Sequence, residues 1–382
     1  MKALSALSQA VTQVTRSTRG LSGFAGALRD GVTRALPTEL RGNDDFTTHL
    51  PSTVVATRGP VTLLKFSAEP KFSAEPSMTN DQEGLAPILF VYSLINRFYI
   101  LDFMPGRSLL EFYTQQGRDC YVIDWGTPTL EDRYKTWEDY AVRYLRFSIE
   151  ALRADAGLAP AEPVHLFGYC VGGALSMTFA ALRPTWVRSL TVMATPVDFH
   201  DEGLLRRWTA PERFDVDQVV SACGHVPTWL LESGFRLLSP LSNLTKWRDL
   251  WRGRDREGFI EMWRRMEQWA SDNVPFPAEV YRQYIRDTYQ TNAFCRGEMM
   301  VGGERLDLTQ ISAPVLAVIA LRDQIVPVES ATAIERLLSP GQVTTLSLDT
   351  GHLGLSTSGK AATQFWPKMH GWLLKHEGHR SD

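Results

Sequence analysis

The stretch "VHLFGYCVGGAL" constrains the fold of this chain more than any other part of its sequence. A short apolar run leads into Gly168-x-Cys170-x-Gly172, and Gly173 follows directly. This spacing is typical of a nucleophile elbow, a tight strand-to-helix turn that exposes a nucleophilic side chain. Small residues flank such a turn because the strand and the helix lie too close together for side chains. Cys170 is therefore the candidate nucleophile, and Gly168, Gly172 and Gly173 are the candidate elbow glycines.

Short apolar runs alternate with helical patterns along most of the chain. The runs lie at Pro87–Tyr92, Tyr121–Asp124, Val164–Phe167, Leu190–Met193, Val315–Leu321 and Thr344–Leu348. Uniformly apolar strands of this length are typical of a mostly parallel sheet that is covered by helices on both faces. The sequence thus predicts an α/β fold with a doubly wound sheet.

The alternation stops over about residues 199–292, where helical patterns and aromatic residues predominate. One apolar helix face is formed there by Phe259, Met262, Trp263, Met266 and Trp269. A helical subdomain with its own core is the simpler interpretation. An insertion between two strands would also cover the sheet edge at which α/β proteins bind ligands, which predicts a lid.

This insertion defines the predicted domains. We expect an N-terminal arm at residues 1–50, an α/β core at residues 51–198 and 293–382, and an inserted helical lid or cap at residues 199–292. The arm is rich in Ser, Thr and Arg and poor in acids, which is typical of a transit peptide and also of a flexible or amphipathic lead-in. The hexapeptide KFSAEP occurs twice over residues 65–76, where we predict an exposed connection.

Charge and cysteine usage exclude several classes of protein. The chain has 40 basic and 43 acidic residues and a net charge of −3, so no nucleic-acid partner is expected. Its four cysteines are widely spaced and form no CxxC pair, which argues against a zinc site or a disulfide framework and favours a reducing, cytoplasmic setting. No stretch is apolar enough to predict a membrane span.

An elbow predicts that an acid and then a histidine follow the nucleophile along the chain. Asp323 comes just after the run "VLAVIAL", and His352 comes just after "TTLSL". Both therefore lie at the carboxyl ends of predicted strands, where the loops converge. Asp198 is the rival acid. Each of these residues could have only a structural role, but their order and their strand-end positions together predict a Cys-His-Asp triad.

Cysteine at the elbow favours thioester chemistry. A thiolate is a better nucleophile than a neutral hydroxyl, and an adjacent imidazole can generate it. Exchange of one thioester for another leaves the acyl group activated for transfer. This favours acyl transfer over simple ester hydrolysis, although some hydrolases also use an elbow cysteine.

Several blocks of the sequence resemble the polyhydroxyalkanoate synthases, which belong to the α/β-hydrolase superfamily. The first is "GYCVGG", and the others are "VYSLINRFYILDF", "CYVIDWGTP", "ATPVDF", "MEQWASDN", "RQYIRDTYQTN" and "GHLGLSTSGK". The short length and the "IDWG" block look most like the class III and class IV enzymes, which act with a separate small subunit. The resemblance covers most of residues 87–374.

The resemblance implies that 3-hydroxyacyl-CoA units, typically 3-hydroxybutyryl-CoA, are polymerised into polyester with release of coenzyme A. It implies that Cys170 accepts the acyl group, that His352 generates its thiolate, and that Asp323 orients His352 or helps to activate the attacking 3-hydroxyl. The oxyanion donors would be the backbone N–H groups of Val171 and Ile95. Neither a metal nor a cofactor is implied.

The implied partners are the acyl-CoA substrate, the growing polyester, a second copy of the chain in a homodimer and the small subunit. The implied location is cytoplasmic, at the surface of polyester granules. Two alternatives stay open: a cysteine hydrolase that acts as a thioesterase or depolymerase, and a non-catalytic granule scaffold in which Cys170 only packs.

Overall fold

An eight-stranded sheet lies at the centre of the fold. The computed structural model describes residues 47–69, 85–238, 252–253, 256 and 258–377. The predicted arm at residues 1–50 lies almost wholly outside them. The strands of the sheet are β1 (Thr53–Arg58), β2 (Val61–Phe66), β3 (Ile88–Val91), β4 (Cys120–Asp124), β5 (Val164–Tyr169), β6 (Val187–Met193), β7 (Val315–Ala320) and β8 (Val343–Leu348).

The strand order in this sheet is β1-β2-β4-β3-β5-β6-β7-β8. Strand β2 is antiparallel to both of its neighbours, and all other pairs are parallel. The central strands β3, β5 and β7 are buried along their whole length, which explains their predominantly apolar sequences. Strand β1 is mostly exposed at the edge, so its sequence lacks the apolar run that marks each of the strands β3 to β8.

Helices cover both faces of the sheet and fill the connections. They are α1 (Leu109–Gln115), α2 (Leu145–Asp155), α3 (Val171–Leu182), α4 (Leu204–Thr209), α5 (Val216–Cys223), α6 (Thr228–Leu238), α7 (Phe259–Ser271), α8 (Ala278–Tyr284), α9 (Ala293–Arg296), α10 (Val328–Thr332), α11 (Ile334–Leu337), α12 (Gly354–Thr357) and α13 (Trp366–Leu374). Segments of π-helix lie at Asp139–Tyr144, Ile285–Gln290 and Ala361–Phe365.

Shorter elements complete the fold. Two small antiparallel pairs join His225–Val226 to Phe276–Pro277 and Met300–Val301 to Glu304–Arg305. The 3-10 helices are Phe98–Asp102, Leu130–Tyr134, Pro184–Trp186 and Leu308–Gln310. Among the described residues, no helix has both the length and the apolar character that a bilayer crossing requires.

The predicted lid region contains helices α4 to α8, which follow β6 and precede β7. The apolar face of α7 is buried at Trp269 and half-buried along the rest of its length, and it packs against the segment that follows β3. Trp269 is 6% exposed in a core cluster with Phe103, and Met262 and Met266 pack against the same cluster. The domain boundaries at residues 199 and 292 stay a prediction.

The repeated hexapeptide begins inside the sheet rather than in a loop. Phe66 is buried in β2, and Lys65 forms ion pairs of 3.0 Å with both Asp119 and Asp155. The prediction of an exposed connection was therefore wrong for the start of the first copy, because these residues extend the β2 pairing with β4. The second copy lies outside the described residues.

A buried polar network connects Glu377, which follows α13, to residues in and beside the central sheet. The Glu377 carboxylate accepts hydrogen bonds from the Arg118 guanidinium and from the backbone N–H of Ala86 (3.1 Å), and His165 lies 3.6 Å from it. The Arg118 side chain is fully buried. Burial raises the pKa of Glu377, but the nearby His165 imidazole and the hydrogen-bonded Arg118 guanidinium outweigh this and lower the pKa to about 2.

Replacing Glu377 with alanine should destabilise the fold by about 3 kcal/mol, because it leaves the buried charge of Arg118 without its carboxylate. Urea denaturation followed by circular dichroism measures the loss. Lys375→Ala is the matched control, since Lys375 is exposed on the same terminal segment. Equal stability of Glu377→Ala and Lys375→Ala would show that the network does not hold the fold together.

Candidate active site

Cys170 occupies the turn between β5 and α3 in a strained backbone conformation. Its φ is 54° and its ψ is −124°, a region that non-glycine residues adopt only when the surrounding structure holds them there. Here the Cys170 N–H donates to the Met193 carbonyl (2.9 Å), and the Cys170 carbonyl accepts from the Gly173 N–H (2.9 Å). The chain therefore forms the nucleophile elbow that its sequence pattern predicts.

The elbow glycines leave no space for side chains. A β-carbon on Gly172 would lie 2.7 Å from the Tyr92 carbonyl oxygen, and one on Gly173 would lie 2.6 Å from the Thr195 methyl group. A β-carbon on Gly168 would lie 2.8 Å from the Gly173 nitrogen. These contacts bring the loop after β3 directly against the elbow.

Asp323 and His352 form a hydrogen-bonded pair at the carboxyl ends of β7 and β8. The His352 Nδ1 lies 2.7 Å from one carboxylate oxygen of Asp323. The other oxygen accepts the backbone N–H groups of Ile325 (2.8 Å) and Val326 (3.0 Å), so the carboxylate is held on both sides. The Asp323 side chain is only 1% exposed. Because Nδ1 is hydrogen-bonded to Asp323, Nε2 is the ring nitrogen that can exchange a proton with the nucleophile.

The His352 imidazole also lies close enough to the side chain of Cys170 to interact with it, so the structure brings all three predicted residues together. Burial disfavours the imidazolium, but the nearby Asp323 and Cys170 side chains, and the hydrogen bond to Asp323, outweigh it. They raise the pKa of His352 from 6.5 to about 10. A histidine beside the sulfur is the partner that a nucleophilic cysteine requires.

The rival acid Asp198 lies in a different network. Its carboxylate forms an ion pair with Arg336 and accepts a hydrogen bond from Asn292 (2.9 Å). The structure therefore pairs His352 with Asp323 and not with Asp198.

Tyr169 is hydrogen-bonded to the loop that carries His352. The sequence did not predict this contact. The Tyr169 hydroxyl donates to the His352 carbonyl (2.9 Å), and the Tyr169 ring meets the His352 ring edge-on, with centroids 5.4 Å apart. The Tyr92 ring stacks on the Tyr169 ring, with centroids 5.2 Å apart. The only signal was a tyrosine in a fully buried strand, where its hydroxyl needs a partner.

The two predicted oxyanion donors lie at the same edge of the sheet. Val171 is the first residue of α3, so its N–H has no acceptor within the helix. Ile95 lies in the loop after β3, and its N–H makes only a long contact of 3.4 Å with the Ser93 hydroxyl. Both assignments stay predictions, as do the roles of the triad residues.

The raised pKa of His352 predicts a pH dependence of stability. A group whose pKa is higher in the folded than in the unfolded chain stabilises the fold fully below the unfolded value and loses that effect as the pH rises through the folded value. The free energy of unfolding should therefore fall between about pH 6.5 and pH 10. Urea titrations across this range should show a shallower fall for His352→Gln. Parallel curves for both proteins would contradict the assignment.

Comparison with known proteins identifies the family. A model of the α/β-hydrolase fold matches residues 87–358, which confirms the predicted fold. A poly(3-hydroxyalkanoate) polymerase subunit PhaC from Haloferax mediterranei is 37% identical over 76% of this chain and 58% of its own length. The PhaC subunit from Allochromatium vinosum is 38% identical over 75% of this chain and 80% of its own, and that from Synechocystis is 34% identical over 76% and 78%. The chain therefore belongs to the PhaC family of poly(3-hydroxyalkanoate) polymerases, within the α/β-hydrolase superfamily.

Proposed function

We propose that this chain polymerises 3-hydroxyacyl-CoA into polyester with release of coenzyme A, through a thioester on Cys170. The observation that carries the proposal is the hydrogen-bonded pair His352–Asp323 beside Cys170, at an elbow of a PhaC-family chain. This arrangement supports covalent catalysis, and the named activity of the relatives supports the substrate class.

In the acylation step, the Cys170 thiolate attacks the carbonyl carbon of the acyl-CoA thioester. A bond forms between Sγ and that carbon, and the negative charge that develops on the oxygen is stabilised by the N–H of Val171 and by a second N–H from the loop after β3. Collapse of this intermediate breaks the bond to the sulfur of coenzyme A. The imidazolium of His352 donates its proton to that sulfur, and free coenzyme A leaves.

In the elongation step, the 3-hydroxyl of one acyl unit attacks the thioester carbonyl of another. An ester bond forms, a carbon–sulfur bond breaks, and neutral His352 accepts the hydroxyl proton. Asp323 keeps the ring oriented and stabilises the imidazolium that results. Short 3-hydroxybutyryl units are the substrate that we propose.

The proposed partners extend beyond the substrate and the polyester. The relatives are named as subunits, which supports the proposal of a separate small subunit for this chain. A homodimer and a place at the surface of cytoplasmic polyester granules complete the proposal.

Incubation of the purified chain with 3-hydroxybutyryl-CoA, with and without a small partner subunit, tests the proposed function. Free thiol measures coenzyme A release, and size-exclusion chromatography measures the product. We expect coenzyme A release together with a polymer. Release with monomeric 3-hydroxybutyrate as the only acyl product would instead identify a thioesterase, and shortening of added polyester would identify a depolymerase.

A further inference from the structure

The loop that follows β3 is joined to the end of helix α7, far along the chain. The Val274 N–H donates to the Ile95 carbonyl (3.0 Å), and Asn96 pairs with Asn273 in an isolated antiparallel bridge. The side chains of Asn96 and Asn273 are also hydrogen-bonded to each other. The loop that carries a predicted oxyanion donor is thus held through its backbone by the segment after α7.

Asp272 strengthens this junction from the α7 side. Its carboxylate accepts the hydroxyl hydrogen of Tyr99 (3.1 Å) and forms an ion pair with Arg97 (3.4 Å). The indole N–H of Trp269 donates to the Arg97 carbonyl (2.8 Å). These bonds attach the last turn of α7 to the loop just beyond Ile95.

The loop is fixed at its other end by the sheet. The Tyr92 carbonyl accepts the indole N–H of Trp125 (2.9 Å), and it lies against the elbow at Gly172. The position of the loop relative to Cys170 therefore depends on two supports, the end of β3 and the end of α7. Only the second support belongs to the predicted lid.

We infer that Asp272 and Asn273 are positioning residues that hold the loop after β3 where its backbone N–H can stabilise the oxyanion at Cys170. The inference rests on the proposed covalent mechanism and adds to it, since it makes formation of the oxyanion site depend on the packing of α7. The "ASDN" end of the "MEQWASDN" block then has a function in the acylation step.

Two reactions of Cys170 separate this role from a general structural one. Acylation by p-nitrophenyl acetate passes through an oxyanion, and the burst of p-nitrophenol measures it in a single turnover. Alkylation by iodoacetamide needs the same thiolate but forms no oxyanion. Asp272→Ala should lower the acylation rate roughly tenfold to a hundredfold, as expected for a misplaced catalytic group. It should leave the alkylation rate within about twofold of the wild type.

The controls are matched to the chemistry of Asp272. Asp272→Asn keeps an acceptor oxygen for Tyr99 and should restore most of the rate. Asp217→Ala removes another lid carboxylate, which forms ion pairs of 2.8 Å with Arg282 and Arg286, and its side chain is similarly exposed (56% against 41%). It should leave both reactions unchanged. Asn273→Ala provides a second test should Asp272→Ala fail to fold.

Three outcomes would overturn the inference: an unchanged acylation rate in Asp272→Ala and Asn273→Ala, an equal loss in Asp217→Ala, or a parallel loss of acylation and alkylation. A different result would reject the polymerase proposal. A wild-type protein that reacts with p-nitrophenyl acetate but releases no coenzyme A from 3-hydroxybutyryl-CoA would reject that proposal alone.

Discussion

Cys170→Ala should lower coenzyme A release from 3-hydroxybutyryl-CoA by at least about a thousandfold, because no other atom at the elbow can accept the acyl group. The substitution removes one sulfur atom and keeps the β-carbon, so the backbone at φ 54° and the fold should persist. Coenzyme A release is measured with a thiol reagent, and folding is measured by circular dichroism and thermal unfolding.

Cys223→Ala is the matched control for this experiment, since Cys223 is an exposed free cysteine in α5. It should retain wild-type turnover and show that loss of a thiol elsewhere has no effect. Turnover at the wild-type rate by folded Cys170→Ala would reject the covalent mechanism and favour a structural role for this cysteine.

His352→Gln should lower turnover almost as much, by about a thousandfold. Glutamine keeps a hydrogen-bonding side chain beside Asp323 but can neither carry the proton nor stabilise the thiolate of Cys170. Acylation by p-nitrophenyl acetate and alkylation by iodoacetamide should therefore both slow down. This pattern differs from that expected of Asp272→Ala, in which only acylation is affected.

His200→Gln is the control, because His200 is exposed outside the site. Near-normal alkylation in folded His352→Gln would contradict activation of the thiol by His352.

Asp323→Asn tests whether the carboxylate acts in acylation, in elongation or in both. A smaller loss in single-turnover acylation than in elongation is expected if the carboxylate also helps the attacking hydroxyl, and equal losses would reject that division.

The elbow was predictable because backbone geometry dictates its residues. Gly168, Gly172 and Gly173 are required by contacts that any strand-to-helix turn of this kind creates, and so their spacing is visible in the sequence. The positions of Asp323 and His352 were predictable for a related reason. In a parallel sheet, loops that follow separate strands converge at one edge, whatever their distance along the chain.

Other features depend on tertiary contacts that leave weak sequence signals. The hydroxyl of Tyr169 reaches the His352 carbonyl only because β5 and the last loop meet in space. The spacing of apolar residues in α7 predicted its apolar face. The segment after β3 that packs against this face lies far away in the sequence. Strand β1 escaped prediction because an exposed edge strand needs no apolar run.

The strand order also governs when the site can form during synthesis. Cys170 leaves the ribosome well before Asp323 and His352, which follow the last two strands of the sheet along the chain, β7 beside β6 and β8 beside β7. A nascent chain therefore exposes its thiol without the imidazole beside it. Translation must pass the final strand before the nucleophile gains its base, so a chain that ends before His352 lacks the complete triad.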